Sequence, residues 1–394
     1  MTMERDRSRK VLLIGGTGVF GRRLAEHIVT YCADIVAELV VTSRLSESAS
    51  SVADQLAFVS KGPAVHGIAL DTRTTLANVL ATERPSVVVD CSGPFQSSSY
   101  DVPKTAMEHR AHALDLADAR SYLLNYGSAL DGIEKQNGVV GVAGASSTPA
   151  LSGAVVRELV LNWSHVRAID LAIVPGGRSE VGRSVLEAVL SYAGRSVPVW
   201  RHGSLQHIAG WTEARTITVR GLGARRVATV ETADAERLGA RYDVSGDVTF
   251  SAGLESSAEQ RGLEIIAFLR ARKLLPDVTP LAGLLHYARK LTRWTTGDSG
   301  GMVVTARGID NRGQSCVATW TLLAHEGSGP QVPILAAAAT LRRLAKGCAE
   351  AGANLADDIL TLQDILAEAQ FYPITTHVER KVLALPSVET PVPA

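Results

Sequence analysis

The sequence predicts an α/β protein: an N-terminal doubly wound parallel domain, followed by an α+β domain with a mostly antiparallel sheet. Three observations carry this. The apolar run Val11-Leu12-Leu13-Ile14 feeds a glycine turn and then an amphipathic segment from Val19 to about Tyr31. Strand-like and helix-like segments then alternate as far as Thr148, the signature of parallel strands with covering helices. Beyond Leu151 strand runs follow one another directly, which suits antiparallel pairing. A length of 394 residues fits two domains. The divisions read as 1–148, 149–350, and a C-terminal helix and tail over 351–394 that packs back on the first domain in one arrangement the sequence leaves open.

Each element has its reason. Gly16-x-Gly18-x-x-Gly21 joins the first strand to the first helix as a Rossmann phosphate turn does: Gly16 allows the tight turn, Gly18 lets backbone approach a pyrophosphate, and Gly21 lets helix and strand pack closely. The expected cradle comprises Gly15, Gly16, Thr17, Gly18, Val19, Phe20 and Gly21. Strand two, Ile35 to Thr42, decides the cofactor. Where an NAD-binding fold has a carboxylate for the ribose, this chain has Thr42-Ser43-Arg44. Ser43 and the Arg44 guanidinium suit a 2′-phosphate, so the cofactor is expected to be NADP(H). Strand three, Ala64 to Leu70, ends at Asp71, placed either to touch the adenine edge or to cap the helix after it. Strand four, Ser86 to Cys91, runs into Ser92-Gly93-Pro94-Phe95-Gln96, a rigid loop expected along the nicotinamide. A short strand, Ala111 to Leu116, and another, Gly138 to Ala143, complete the alternation. In the second part, hairpins are expected around Gly203 and across Asn311-Arg312-Gly313, with strands at Thr216–Val219 and Asp247–Ala252. Helices are expected over 262–273, 281–293, 332–346 and 360–370.

Composition excludes several function classes. Lys plus Arg equals Asp plus Glu, so no overall charge draws the chain to nucleic acid or an anionic membrane surface. The four cysteines are scattered without a CxxC pair, so neither zinc nor a disulfide framework is expected. With no apolar span of membrane length and no leader-like N-terminus, a cytoplasmic protein without membrane insertion is expected.

The motifs VLLIGGTGVFGRRLAEH, VVVDCSGPFQ, HALDLADAR and GASSTPALSGAVV, in that order, resemble the saccharopine dehydrogenase-like oxidoreductases; GDSGGMVV and GPQVPILAAAATLRRLAKG resemble their C-terminal part. The resemblance implies an NADP-binding Rossmann domain, a second domain covering the nicotinamide, a small-molecule substrate and a homodimer. It implies hydride transfer to or from a C=N, C=O or conjugated C=C bond, and leaves the substrate open. A trans-acting enoyl reductase of a lipid pathway and a non-catalytic NADP(H)-binding redox sensor are the alternatives.

Hydride transfer needs a proton source beside the nicotinamide. Asp118 and Arg120, at the end of a central strand, are the candidates, Arg120 for a carboxylate and Asp118 for an amine or a proton; an Asp–Arg pair fixing a loop is the alternative. Tyr100 is the third catalytic candidate, after the Gly-Pro loop. Ser147 or Thr148 before Pro149 reads first as a helix cap. His109 and His112 lack further ligands, so no metal site is expected.

Overall fold

The computed structural model describes residues 9–130, 132–178, 183–276 and 297–383. The first lobe runs β1 (Lys10–Ile14), α1 (Val19–Tyr31), β2 (Glu38–Ser43), α2 (Ser46–Val59), β3 (Ala64–Ala69), α3 (Leu76–Glu83), β4 (Val87–Asp90), α4 (Asp101–Glu108), β5 (His112–Asp115), α5 (Arg120–Leu130), β6 (Val140–Ala143) and α6 (Ser152–Leu159). The second runs β7 (Trp163–Val174), α7 (Arg183–Tyr192), β8 (Ser196–Arg201), β9 (Ser204–Ala209), β10 (Thr212–Val219), β11 (Gly223–Thr229), α8 (Ala233–Arg241), β12 (Val248–Ala252), α9 (Ser257–Ala271), β13 (Gly300–Asp310) and β14 (Ser315–Ala324). The chain then gives α10 (Val332–Ala345), β15 (Gly352–Leu355), α11 (Leu362–Ala369) and β16 (Ile374–Val382).

The described residues form two sheets. The first has seven parallel strands in the order β15-β6-β5-β4-β1-β2-β3. Central strands β1 and β4 are continuous apolar runs because helices cover both faces. The second sheet has nine strands and is antiparallel except where β12 lies parallel to β7. Both expected hairpins form, β8 with β9 and β13 with β14.

Three features differ from the sequence reading. Strand β11 and helix α8 occupy 223–229 and 233–241, which the periodicity left unmarked, since Arg225-Arg226 and the polar face of α8 dilute the apolar pattern. The C-terminal part supplies strands to both sheets: β15 extends the parallel sheet beside β6, and β16 pairs with β14. The helix expected over 281–293 lies outside the described residues. Helix α3 begins at Leu76, five residues beyond Asp71 rather than beside it.

The return of the chain is anchored by charge. Helix α10 packs on α1, and Arg342 Nε donates to Glu368 Oε1 at 2.6 Å while its Nη1 reaches Asp34 Oδ2 at 2.9 Å. Glu368 also meets the buried His27 Nε2 at 2.8 Å, and His27 Nδ1 meets the Tyr372 hydroxyl at 2.7 Å. A second polar knot joins the lobes through α8: Arg237 meets Asp357 at 2.8 Å and Arg241 meets Asp358 at 2.7 Å. Asp234 lies fully buried beside them. Burial pushes its carboxyl up to about 7, with the Asp357 charge adding to the rise and Arg237 opposing it.

A raised carboxyl means that the native state holds a proton which the unfolded chain has released, so stability falls as pH rises between about 4, the free Asp value, and about 7. Asp234→Asn keeps the shape and cannot titrate. Urea unfolding across that range should show a shallower fall for the variant than for the wild type; parallel curves would mean that Asp234 ionises normally.

Candidate functional site

The site begins at the glycine turn. Gly15 has φ +72°, and a Cβ there would sit 2.9 Å from Ser92 Cα, so the turn lies directly against the loop after β4. The Gly16 N–H donates to the Thr42 carbonyl at 3.1 Å and the Gly18 N–H to the Gly15 carbonyl at 2.9 Å. A Cβ at Gly21 would fall well inside contact distance of the Gly15 carbonyl. Gly18 caps α1 without a side-chain bond, and the first turn has no acid, which leaves its N–H groups to an external anion.

At the end of β2, Thr42 is buried and donates to the Leu13 carbonyl at 3.1 Å. Ser43 is half-buried and accepts the Leu45 N–H at 3.4 Å. Arg44 is exposed and pairs with none of the described residues. Cradle and guanidinium therefore fit a dinucleotide bearing a 2′-phosphate. Asp71 is different: its carboxylate accepts the Arg73 N–H at 2.9 Å and its carbonyl the Thr75 N–H at 2.9 Å, so it closes its own turn.

The carboxyl edge of the parallel sheet holds two buried acids that share a register, Asp90 on β4 and Asp115 on β5. Asp90 Oδ1 accepts both the N–H and the hydroxyl of Ser92, at 2.8 and 2.6 Å. Asp115 accepts the N–H groups of Ala117 and Gly144, at 3.0 and 2.8 Å, and the Tyr122 hydroxyl at 3.0 Å. Burial raises its carboxyl to about 7, although those N–H bonds favour the charged form. Asp115 thus ties down the loop that carries Asp118 and Arg120. The sequence reading gave it no role.

Asp118 lines an open cavity of about 1010 Å³ between the two lobes, with its carboxylate exposed to solvent on one side. Desolvation by the surrounding protein raises its carboxyl above the usual range, opposed by Gln96 Nε2 at 3.5 Å from its Oδ1. The same cavity is lined by Phe20, Gly93, Pro94 and Phe95 from the cofactor side. From the second lobe come Glu231 and Tyr192. Glu231 is raised by burial, with Arg120 opposing and Asp118 adding. The Tyr192 phenol is raised by burial and then by Asp118 and Glu231, so it stays protonated. The Trp211 indole N–H approaches that oxygen without a bond of regular geometry.

Arg120 is held from the second lobe by an ion pair with Glu236, while its buried Nε makes no bond. Two expectations need correction. Tyr100 does not line the cavity: its hydroxyl donates to the Tyr122 carbonyl at 3.0 Å and its ring stacks on Tyr122 at 4.8 Å. Ser147 and Thr148 make no cap, because the chain forms a wide turn over 147–151 and α6 starts only at Ser152; both line the cavity instead. His109 and His112 are spent on backbone, the Thr105 carbonyl and the Val140 N–H. Glu231, Glu236, Tyr192 and Trp211 escaped the sequence reading, since no motif or spacing links them to the first lobe.

Residues 11–142 match the family described as the saccharopine dehydrogenase NADP binding domain. That N-terminal stretch is thus similar to the NADP-binding domain of saccharopine dehydrogenases. Its cofactor is NADP(H), as that domain and the carboxylate-free end of β2 require. In fold it is similar to the apo saccharopine dehydrogenase (L-Glu forming) of Saccharomyces cerevisiae, with a TM-score of 0.64 at 14% identity over 95% of this chain and 100% of that one. It is more loosely similar to an amine dehydrogenase of Mycobacterium smegmatis, with a TM-score of 0.49 at 11% identity over 90% of this chain and 96% of that one. No curated protein matches it in sequence. Among the described residues no helix is long and apolar enough to cross a membrane. Domain and fold together support an NAD(P)-dependent oxidoreductase.

The close approach at Gly21 gives a direct check. Gly21→Ala should force the turn apart and weaken NADPH at least tenfold in a fluorescence titration, order-of-magnitude, for about 1.4 kcal/mol of lost contact. Unchanged affinity would mean the cofactor is not held by this turn.

Proposed function

We propose that the protein is an NADP(H)-dependent oxidoreductase that moves a hydride to or from a C=N, C=O or conjugated C=C bond of a small metabolite. One observation carries the reading: the loop beside the glycine turn and an acid cluster from the other lobe line a single cavity. The cofactor supplies or takes the hydride; the chain's own residues do the rest. Gly15 to Gly21 hold the pyrophosphate, Ser43 and Arg44 the 2′-phosphate, and Ser92 to Gln96 run along the nicotinamide.

Asp118 and Glu231 face the same space, and both are raised by burial. Two carboxyls in mutual repulsion retain a proton more readily than either alone. We assign Asp118 as the group that exchanges this proton with the substrate, with Glu231 tuning it. Arg120, fixed by Glu236, limits the rise at Glu231. Tyr192 supplies a neutral hydroxyl to the same space. Three acids at the cavity wall, Asp118, Glu231 and Glu259, support catalysis over the sensor reading. A homodimer, on the strength of the resemblance, and the cytoplasmic location expected from the sequence belong to the proposal.

Two measurements test it. Arg44→Ala should weaken NADPH by about tenfold or more and leave NADH almost unaffected; equal losses would remove the 2′-phosphate role. Asp118→Asn should cut kcat for reduction by about a hundredfold with NADPH affinity kept. It should also abolish the fall in rate that deprotonation of Asp118 imposes as pH rises; an unchanged profile would assign the proton elsewhere.

A further inference from the structure

The cavity is far more than a slot for a nicotinamide and a small polar substrate. At about 1010 Å³ it stands at the upper end of ordinary ligand pockets. Most of its wall in the second lobe is apolar, with Ser191, Arg195, Ser196 and Glu259 set into it. Leu186 and Val189 of α7, Leu263 and Ile266 of α9, and Phe250 and Met302 of the second sheet form that wall. Along α7 the apolar surface begins within about 9 Å of Tyr192, six helical residues away. The apolar arm is therefore continuous with the acid cluster.

Charge narrows the occupant further. Among the described lining residues the acids are Asp118, Glu231 and Glu259, and the cations are Arg120 and Arg195. Arg120 is engaged by Glu236, which leaves one buried N–H, Nε, without a bond. Glu236 meets Arg120 through Nη2 and already offsets much of its charge. Arg195 is engaged as well. A dicarboxylate entering here would find both described lining cations already engaged and would lie against an apolar wall.

We propose that the substrate carries an uncharged hydrocarbon chain, seated between α7, α9 and the second sheet, with its one reducible group at the Asp118–Glu231 end. The assignment rests on the oxidoreductase reading. In the reductive direction the unsaturated bond takes a hydride from NADPH and a proton from the acid cluster, and NADP+ leaves. The hydrocarbon chain undergoes no chemistry; it fixes where the reacting bond stops.

Gly262 offers a way to test this. It lies on α9 at the cavity wall, and a Cβ built there meets no atom within 4 Å. Gly262→Phe should therefore fold and plug the arm, and Leu186→Phe provides a second plug from the facing helix. The experiment is calorimetric titration of the full-length, NADPH-saturated protein with 1-butanol, 1-hexanol, 1-octanol and 1-decanol, and with glutarate. Neutral alcohols do not react by reduction, so binding is read without knowing the reaction.

The expected result is affinity that rises by roughly three- to fourfold per added methylene, no detectable binding of glutarate, and a series flattened beyond hexanol in the plugged variants. A flat wild-type series, glutarate binding tighter than decanol, or plugged variants with wild-type alcohol affinities would overturn it. Saturation with NADPH is established first in the same cell. A protein that binds the alcohols as expected and ignores NADPH would sink the oxidoreductase reading and leave the hydrocarbon site standing.

Discussion

The buried carboxyl of Asp115 is the constraint on which the site depends. It ends β5 beside Asp90 on β4 and collects three donors from three different segments: Ala117 on its own loop, Gly144 beyond β6, and Tyr122 on α5. Those bonds fix the path of the chain through Asp118 to Arg120, and they also fix the departure from β6 that brings Ser147 and Thr148 to the cavity. Burying an acid this deeply is costly, which its pKa near 7 expresses. The arrangement is stable because each donor is itself held by sheet or helix. A side chain that touches no ligand thus sets where the functional ones stand.

The second lobe then completes what the first presents. Glu236 on α8 reaches across to Arg120, and Arg237 and Arg241 on the same helix reach the 356–359 turn beside β15. Helix α8 is consequently clamped between the start of α5 and the returning C-terminal segment. Arg342 and Glu368 do the corresponding work on the other side, against α1, which follows the glycine turn. Arg342, Glu368 and Tyr372, late in the chain, therefore help to place α1 near its start, and both lobes line one cavity.

Legibility in the sequence followed the range of the forces. The glycine turn, the strand–helix alternation and the carboxylate-free end of β2 are local, and they were readable because glycine spacing and apolar periodicity are written within a few residues. The position of Asp118 and Arg120 just beyond a strand end was readable for the same reason. Tyr100 misled because a tyrosine after a loop has no local sign of where its hydroxyl goes; stacking on Tyr122 decided it. Glu231 and Tyr192 are brought to Asp118 only by the packing of two sheets, and β15 joins β6 across two hundred residues of chain. Nothing in a short window can announce such meetings.

The central claim is that cofactor and second-lobe acids occupy one space, and backbone hydrogen exchange with and without NADPH addresses it most directly. The account predicts simultaneous slowing in three separated segments: the cradle at 15–21, the loop at 116–121 and the segment at 230–232. Slowing confined to the cradle would contradict it, because the cofactor would then bind without reaching the groups assigned to the chemistry.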